Sequence, residues 1–193
     1  VDVVLASRNR GKLAELQALL APLRWQLKLV SDFTDDVPEE TGETFEANAL
    51  LKAEHAARAS GLPAIADDSG IEVDALGGAP GVRSARFAGD HATDAQNNQK
   101  LLRMLENAPD AERGAQFVCV IALVRSGERP TFVRAHWRGN ILRAPRGGNG
   151  FGYDPLFFVP THGCASAELQ PDEKNRISHR AQAAAALLKK LRG

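Results

Sequence analysis

Residues 115–125 constrain the fold most. They form a nearly unbroken apolar run, with Cys119 inside the stretch 117–124. Apolar side chains at both odd and even positions leave no polar face for water. Such a run predicts a central strand, buried on both faces of a sheet. Layers are then needed above and below it. Residues 3–6 predict a first strand, followed by a polar turn. Leu13, Leu16, Leu20 and Leu23 recur at helical spacing, in a helix ending near Pro22. Residues 25–30 alternate as a short strand, and 34–42 read as an acidic loop. A helix over 44–60 stops at Gly61 and Pro63. Two strands are expected at 64–67 and 71–76, then a tight glycine loop at 77–81 and extended chain at 82–87. Thr93 and Gln96 form a capping box for a helix to about Leu105. Residues 131–138 alternate as a half-exposed strand, and a glycine-rich turn at 147–152 precedes Phe157-Phe158-Val159. Ser178 caps a last helix to Leu191, where Lys189, Lys190 and Arg192 suit the C-terminal dipole. Strands and helices are interleaved throughout, which predicts an α/β fold with a mixed sheet. The length of 193 residues suits one domain over residues 1–193.

Composition narrows the function. The 24 Lys and Arg balance 24 Asp and Glu, so no whole-chain basic field exists to hold a nucleic acid. The two cysteines, Cys119 and Cys164, make no disulfide framework, and the expected compartment is a reducing cytoplasm. The first residues lack a basic leader, and no 18-residue apolar run predicts a membrane helix.

Five polar stretches are candidates for chemistry. Asp67-Asp68-Ser69-Gly70 follows the apolar run 64–66 and reads as a turn at a strand end. Buried carboxylates need a cation, donors or solvent, and a divalent metal on a phosphorylated ligand would satisfy them. A solvated Asx turn is the alternative. Ser7-Arg8-Asn9-Arg10-Gly11-Lys12 lies at a strand-to-helix junction, where N–H groups and Lys12 attract phosphate. It is not a Walker A loop, and a plain capping loop stays open. Glu39-Glu40-Thr41-Gly42 precedes a helix carrying Asn48 and Lys52 on one face, where a carboxylate could ligate a metal and Lys52 meet phosphate; taken alone, a solvated acidic loop and a surface lysine are the favoured reading. Residues 147–155 combine glycines with Phe151, Gly152, Tyr153 and Asp154: a hairpin, or a stacking platform for a base. Lys174 and Ser178-His179-Arg180 gather donors at a helix start, suited to a carbonyl or phosphate oxygen, or form a basic surface helix start.

Taken together, the set resembles the inosine triphosphate pyrophosphatase family. The matching stretches are Ser7-x-Asn9-x-x-Lys12, Glu39-Glu40-Thr41-Gly42, Ala66-Asp67-Asp68-Ser69-Gly70, Leu76-Gly77-Gly78-Ala79-Pro80-Gly81, Phe151-Gly152-Tyr153-Asp154-Pro155 and Ser178-His179-Arg180. They occur in family order over nearly the whole chain. The resemblance implies an elongated mixed sheet flanked by helices, with two lobes around a nucleotide-binding cleft, usually as a homodimer. It implies magnesium-dependent hydrolysis of ITP, dITP and XTP to the monophosphate and pyrophosphate, which cleanses the nucleotide pool.

The same resemblance implies roles. Ser7, Arg8, Asn9, Arg10, Gly11 and Lys12 would line the triphosphate. Glu40 and Asp68 would hold magnesium with help from Asp67, and Asp68 would accept the proton of the attacking water. Asn48, Lys52 and Ser69 would meet the substrate. Phe151 would stack on the purine, with Gly152, Tyr153 and Asp154 around it. Lys174, His179 and Arg180 would read the base edge, where a 6-oxo group accepts hydrogen bonds and the amino group of adenine does not. Arg8 departs from the glycine common in the family. The Maf-type pyrophosphatases, acting on dTTP and UTP, are the nearest rival. A non-catalytic nucleotide-binding module is the alternative from another class.

Overall fold

The computed structural model describes residues 1–192. The elements, in order, are β1 (Asp2–Leu5), α1 (Arg10–Leu19), β2 (Gln26–Leu29), α2 (Phe45–Ser60), β3 (Ala64–Val73), α3 (Asp94–Met104), β4 (Gly114–Val124), β5 (Thr131–Ile141), β6 (Phe157–Val159), β7 (Cys164–Ala165), α4 (Pro171–Ile177) and α5 (His179–Arg192). The strands form one sheet in the order β2-β1-β3-β4-β5-β6-β7. The sheet is mixed. β1 runs parallel to β2 and β3, while β5–β6 and β6–β7 are antiparallel.

The chain divides into two compact units. One holds residues 1–68, 119–135 and 180 onward; the other holds 69–118 and 136–179. In the first unit, strand alternation sorts side chains into two layers. Val3, Leu5, Ile65, Cys119, Ile121 and Leu123 pack with Leu16 of α1, with Leu20 just past its end, and with Ala183 and Leu187 of α5. The opposite parity, Val4 and Ala64, packs with Ala56 of α2. Fully burying a leucine such as Leu16 or Leu187 stabilises by about 1.5–3 kcal/mol. The second unit gathers Ile71, Val73, Phe117, Trp137 and Phe157 with Leu101 of α3 and with Leu105, which caps its C-terminus.

Capping sets the ends of α2 and the start of α3 as expected. Thr44 accepts from the amide of Ala47 to open α2, and Gly61 closes it in the left-handed region (φ 70°). Thr93 and Gln96 form the reciprocal capping box of α3. β4 is buried along nearly its whole length, as a central strand must be.

Several expectations need correction. Asp67-Asp68-Ser69-Gly70 is not a turn between two strands: it lies inside the continuous β3. The chain has no need to bend and solvate its carboxylates, because both meet cations, as described below. Residues 82–87 are not extended but lie mostly in the 3-10 turn Gly81–Arg86. Ser84 holds that turn: its hydroxyl donates to the Gly81 carbonyl (2.6 Å) and accepts from the Ile71 amide (2.9 Å). The first helix ends at Leu19, and Pro22 sits in a separate 3-10 turn, Ala21–Leu23. β7 and α4 have two and seven residues and were not anticipated, being too short to show a periodicity.

Candidate active site

Asp67 and Asp68 are adjacent in a strand, so their side chains leave opposite faces of the sheet. Asp67 shares parity with Ile65 and meets the α1 and α5 layer. Its Oδ1 lies 2.9 Å from Lys12 Nζ, and its Oδ2 accepts from Arg180 Nε at 3.1 Å. Arg180 also pairs with Glu15 of α1 at 3.1 Å. Burial alone would raise the Asp67 pKa. Lys12, Arg180 and more distant Lys52 overcome that and hold it far below the usual carboxylate range. Burial would likewise lower the pKa of Arg180, but Asp67 and Glu15 raise it.

Asp68 shares parity with Ala64 and meets the α2 layer. Its Oδ1 accepts from Lys52 Nζ at 2.8 Å, and Glu40 Oε1 lies 3.4 Å from the same nitrogen. Asp68 Oδ2 is buried and has no hydrogen-bond partner among the described residues. Burial pushes the Asp68 carboxyl up; Lys52 opposes this, Glu40 and Asp67 add to it, and the result is about 6. Lys52 is raised, because Asp68 and Glu40 outweigh its own burial. Neighbouring carboxylates in one strand thus have opposite electrostatics, set by which layer each one faces.

The loop before α1 is built by short-range hydrogen bonds. Asn9 is the N-cap, its Oδ1 accepting from the Lys12 amide at 3.0 Å, while Ser7 Oγ accepts from the Asn9 amide at 3.1 Å. Arg10 and Gly11 open the helix and are exposed. Arg8, the departure from the family pattern, donates from its guanidinium to the carbonyls of Thr34 and Asp35, tying this loop to the acidic segment. His55 of α2 reaches the same segment, 3.1 Å from Asp36 Oδ2. A hollow of about 270 Å³ is lined by Ser7, Arg8, Lys12, Glu40, Lys52 and His55, among others. Asn48 is fully buried and turns to its own loop, accepting from the Gly42 amide at 2.7 Å and donating to the Gly42 carbonyl at 3.3 Å. It holds the segment that carries Glu40. A Cβ on Gly42 would stand 2.5 Å from Asn48 Oδ1, so the close approach requires glycine. Ser69 follows Asp68 in β3 and is partly buried.

The second unit carries the aromatic residues. Phe151 is 57% exposed, as a stacking platform must be. Asp154 is buried beneath it and spends both oxygens locally. Oδ1 accepts from Ser166 Oγ at 2.9 Å, and Oδ2 accepts from the Phe151 amide at 3.0 Å and from Lys174 Nζ at 2.5 Å. Lys174 Nζ also lies 5.0 Å from the centre of the Phe151 ring. Tyr153 is buried and donates to the Ser84 carbonyl at 2.6 Å, so it anchors the loop from within. His179 stacks on Phe117, with centroids 4.7 Å apart and planes at 13°. Sequence reading did not find Glu15 or Ser166. Glu15 lies one turn from Lys12 on α1, a spacing that would have flagged it as a second partner for a distant cation.

Glu40 and Asp68 share Lys52, and Asp68 keeps an open buried oxygen, so the pair offers hard oxygen donors of the kind a divalent cation takes. Hard oxygen donors suit magnesium, which retains water and phosphate oxygens in its shell. Among the described residues no group of three or more His, Cys, Asp or Glu side chains is placed to hold a metal ion by itself. The model of the Ham1 family matches residues 3–190. The chain belongs to the Ham1 family. Its relatives include the Pseudomonas aeruginosa dITP/XTP pyrophosphatase, 57% identical over 192 residues, covering 98% of this chain and 96% of that protein. The Coxiella burnetii HAM1 protein has a solved structure that superposes with a TM-score of 0.92 at 51% identity, covering 99% of this chain and 98% of that one. A Mycobacterium abscessus structure described as a nucleoside-triphosphatase and dITP/XTP pyrophosphatase gives 0.80 at 45% identity, covering 99% and 100%. Family membership extends over both units, so neither is an unrelated insertion.

Proposed function

We propose that the chain hydrolyses dITP, ITP and XTP to the nucleoside monophosphate and pyrophosphate. The observation that carries this reading is Asp68: a buried carboxylate with one oxygen on Lys52 and the other without a partner. A carboxylate oxygen left open in this way is placed to accept a proton from water. The names of the Ham1 relatives support the substrate class.

Glu40 and Asp68 would hold magnesium, which when bound supplies positive charge to the triphosphate and to the departing pyrophosphate. The protein's own part is to orient and to stabilise. Lys12 and Lys52 present ammonium groups to the phosphates, Lys12 held in place by Asp67. The N-terminus of α1 offers its first amides to phosphate oxygens. Asp68 Oδ2 takes the proton of the water that attacks the α-phosphorus. Phe151 stacks on the purine, and Lys174 and His179 offer donors to a 6-oxo edge. Unsatisfied donors facing the amino group of adenine would penalise ATP. Arg180 would act chiefly through Asp67, since that carboxylate and Glu15 already receive its donors.

The reading extends to a homodimer, carried by the family resemblance, and to a reducing cytoplasm, supported by two cysteines of which neither forms a disulfide. No helix among the described residues is long and apolar enough to cross a membrane. The test is product analysis with magnesium, scoring pyrophosphate apart from orthophosphate. Pyrophosphate from ITP and XTP, with little from ATP, GTP, dTTP or UTP, is expected. Turnover confined to dTTP and UTP would transfer the protein to the Maf-type activity. Removing magnesium with a chelator should stop the reaction, and sedimentation at low micromolar concentration should give twice the chain mass.

A further inference from the structure

Phe151 poses a physical problem that the bond from its own amide to Asp154 meets only in part. A ring 57% exposed gains by moving out of water. Beside it lies a hollow of about 380 Å³, lined by Leu102, Pro145, Phe151, Gly152, Asp94 and Asn98 among others. Collapse of the ring into that space would bury apolar surface and remove the platform. The residue after Phe151 resists this. The Gly152 amide donates to Asp94 Oδ2 at 2.9 Å, and the Gly152 carbonyl accepts from Asn98 Nδ2 at 2.9 Å. Asp94 and Asn98 are four apart on α3, so both face the loop from one side of the helix. The amide orientation of Asn98 follows from its partner, because a carbonyl can only accept. Gly152 itself has φ 61°, in the left-handed region, and the two bonds fix its backbone there.

We propose that Asp94 and Asn98 are positioning residues: by gripping both polar groups of Gly152 they hold Phe151 out of the neighbouring hollow and so set purine affinity and base discrimination. This rests on the function proposed above, in which Phe151 stacks on the base. Neither side chain touches the reacting atoms, so the clamp acts on substrate binding rather than on the chemical step.

The test uses three variants of the full chain. Asp94→Ala and Asn98→Asp each break one bond, the second by turning an oxygen toward the Gly152 carbonyl. Asp94→Asn keeps an acceptor and serves as the conservative rescue. The KM for ITP should rise about fivefold in Asp94→Ala and more in Asn98→Asp, with kcat within twofold, in line with the loss of one hydrogen bond. Asp94→Asn should lie close to the parent. In a Phe151→Ala background the same changes should leave KM unaltered, because no platform remains to position. A KM shift of equal size in that background, or a fall in kcat at unchanged KM, would overturn the clamp. Amide hydrogen exchange at residues 151–153 reads the clamp without activity. Faster exchange in Asp94→Ala and Asn98→Asp, but not in Asp94→Asn, is expected, and unchanged exchange would overturn it. A parent enzyme that fails to hydrolyse ITP sinks the proposed function. The clamp is then judged on exchange alone.

Discussion

The carboxylate region and the aromatic region solve opposite problems. Asp67 and Asp68 are charged groups in a buried strand, and other side chains hold them: Lys12 and Arg180 for one, Lys52 for the other. Phe151 is an apolar group held in water, and bonds to the backbone hold it, through Asp154 at its own amide and Asp94 and Asn98 at the next residue. The difference follows from energetics. A buried charge left without a partner costs several kcal/mol, so its neighbours must be ionic and close. An exposed ring is placed by the backbone that carries it and by Lys174 beside its face. Mutations in the first region should therefore act on chemistry and stability, and in the second on affinity.

The largest effect that would break this contrast is at Asp68. Asp68→Asn removes the proposed proton acceptor but keeps the volume and a partner for Lys52. Hydrolysis of ITP should fall by roughly a thousandfold, within the range for a general base. Nucleotide binding, measured by calorimetry, should persist. Residual turnover close to the parent would move the base elsewhere.

Next in size is Arg180→Met. It leaves Asp67 buried with Lys12 as its remaining near cation, and Glu15 without its partner. The cost should approach about 3 kcal/mol, the lower end for breaking a buried pair. Urea unfolding measures it. A loss under about 0.5 kcal/mol, the scale of an ordinary surface substitution, would show that the network contributes no stability. This pairing spans 113 residues in sequence, which is why no local reading found it. The sequence suggested donors at a helix start for Arg180; it could not show that α5 delivers the guanidinium to β3.

Legibility divides along the same line. Elements with local signals were readable: the Thr44 and Gly61 ends of α2, the Thr93–Gln96 box, and the doubly apolar β4. The motifs proposed for the two sites were legible as sequence, and Phe151 is exposed, as a stacking platform requires. The path of the backbone through Asp67-Asp68-Ser69-Gly70 was not, because turn-forming residues were outweighed by sheet pairing and by cations from distant helices. The inward role of Asp154 was equally hidden. It depends on Ser166 and Lys174, 12 and 20 residues away.

Phe151→Ala should act on affinity alone. Base–aromatic stacking is worth about 1–3 kcal/mol, so KM for ITP should rise roughly ten- to hundredfold with kcat nearly unchanged. A matching fall in kcat would mean that stacking also places the triphosphate, and the contrast between the regions would fail.

The smallest effect separates the two neighbouring carboxylates by pH. In metal-free protein the folded-state pKa of Asp68 is about 6, against a reference value of 3.8. The folded state therefore holds the extra proton between these values, and stability falls as pH rises through that window. Asp67 is depressed below the same reference, so its contribution is present above about pH 4 and fades as pH drops further. Asp68→Asn should thus gain stability over the parent as pH rises from 4 to 6, by on the order of 1 kcal/mol once the weaker bond to Lys52 is allowed for. Asp67→Asn should lose stability above pH 4 and converge on the parent in acid. Urea unfolding of the three proteins with a chelator present gives both difference curves. Curves of the same sign above pH 6 would mean that the side of β3 each carboxylate faces does not decide its electrostatics.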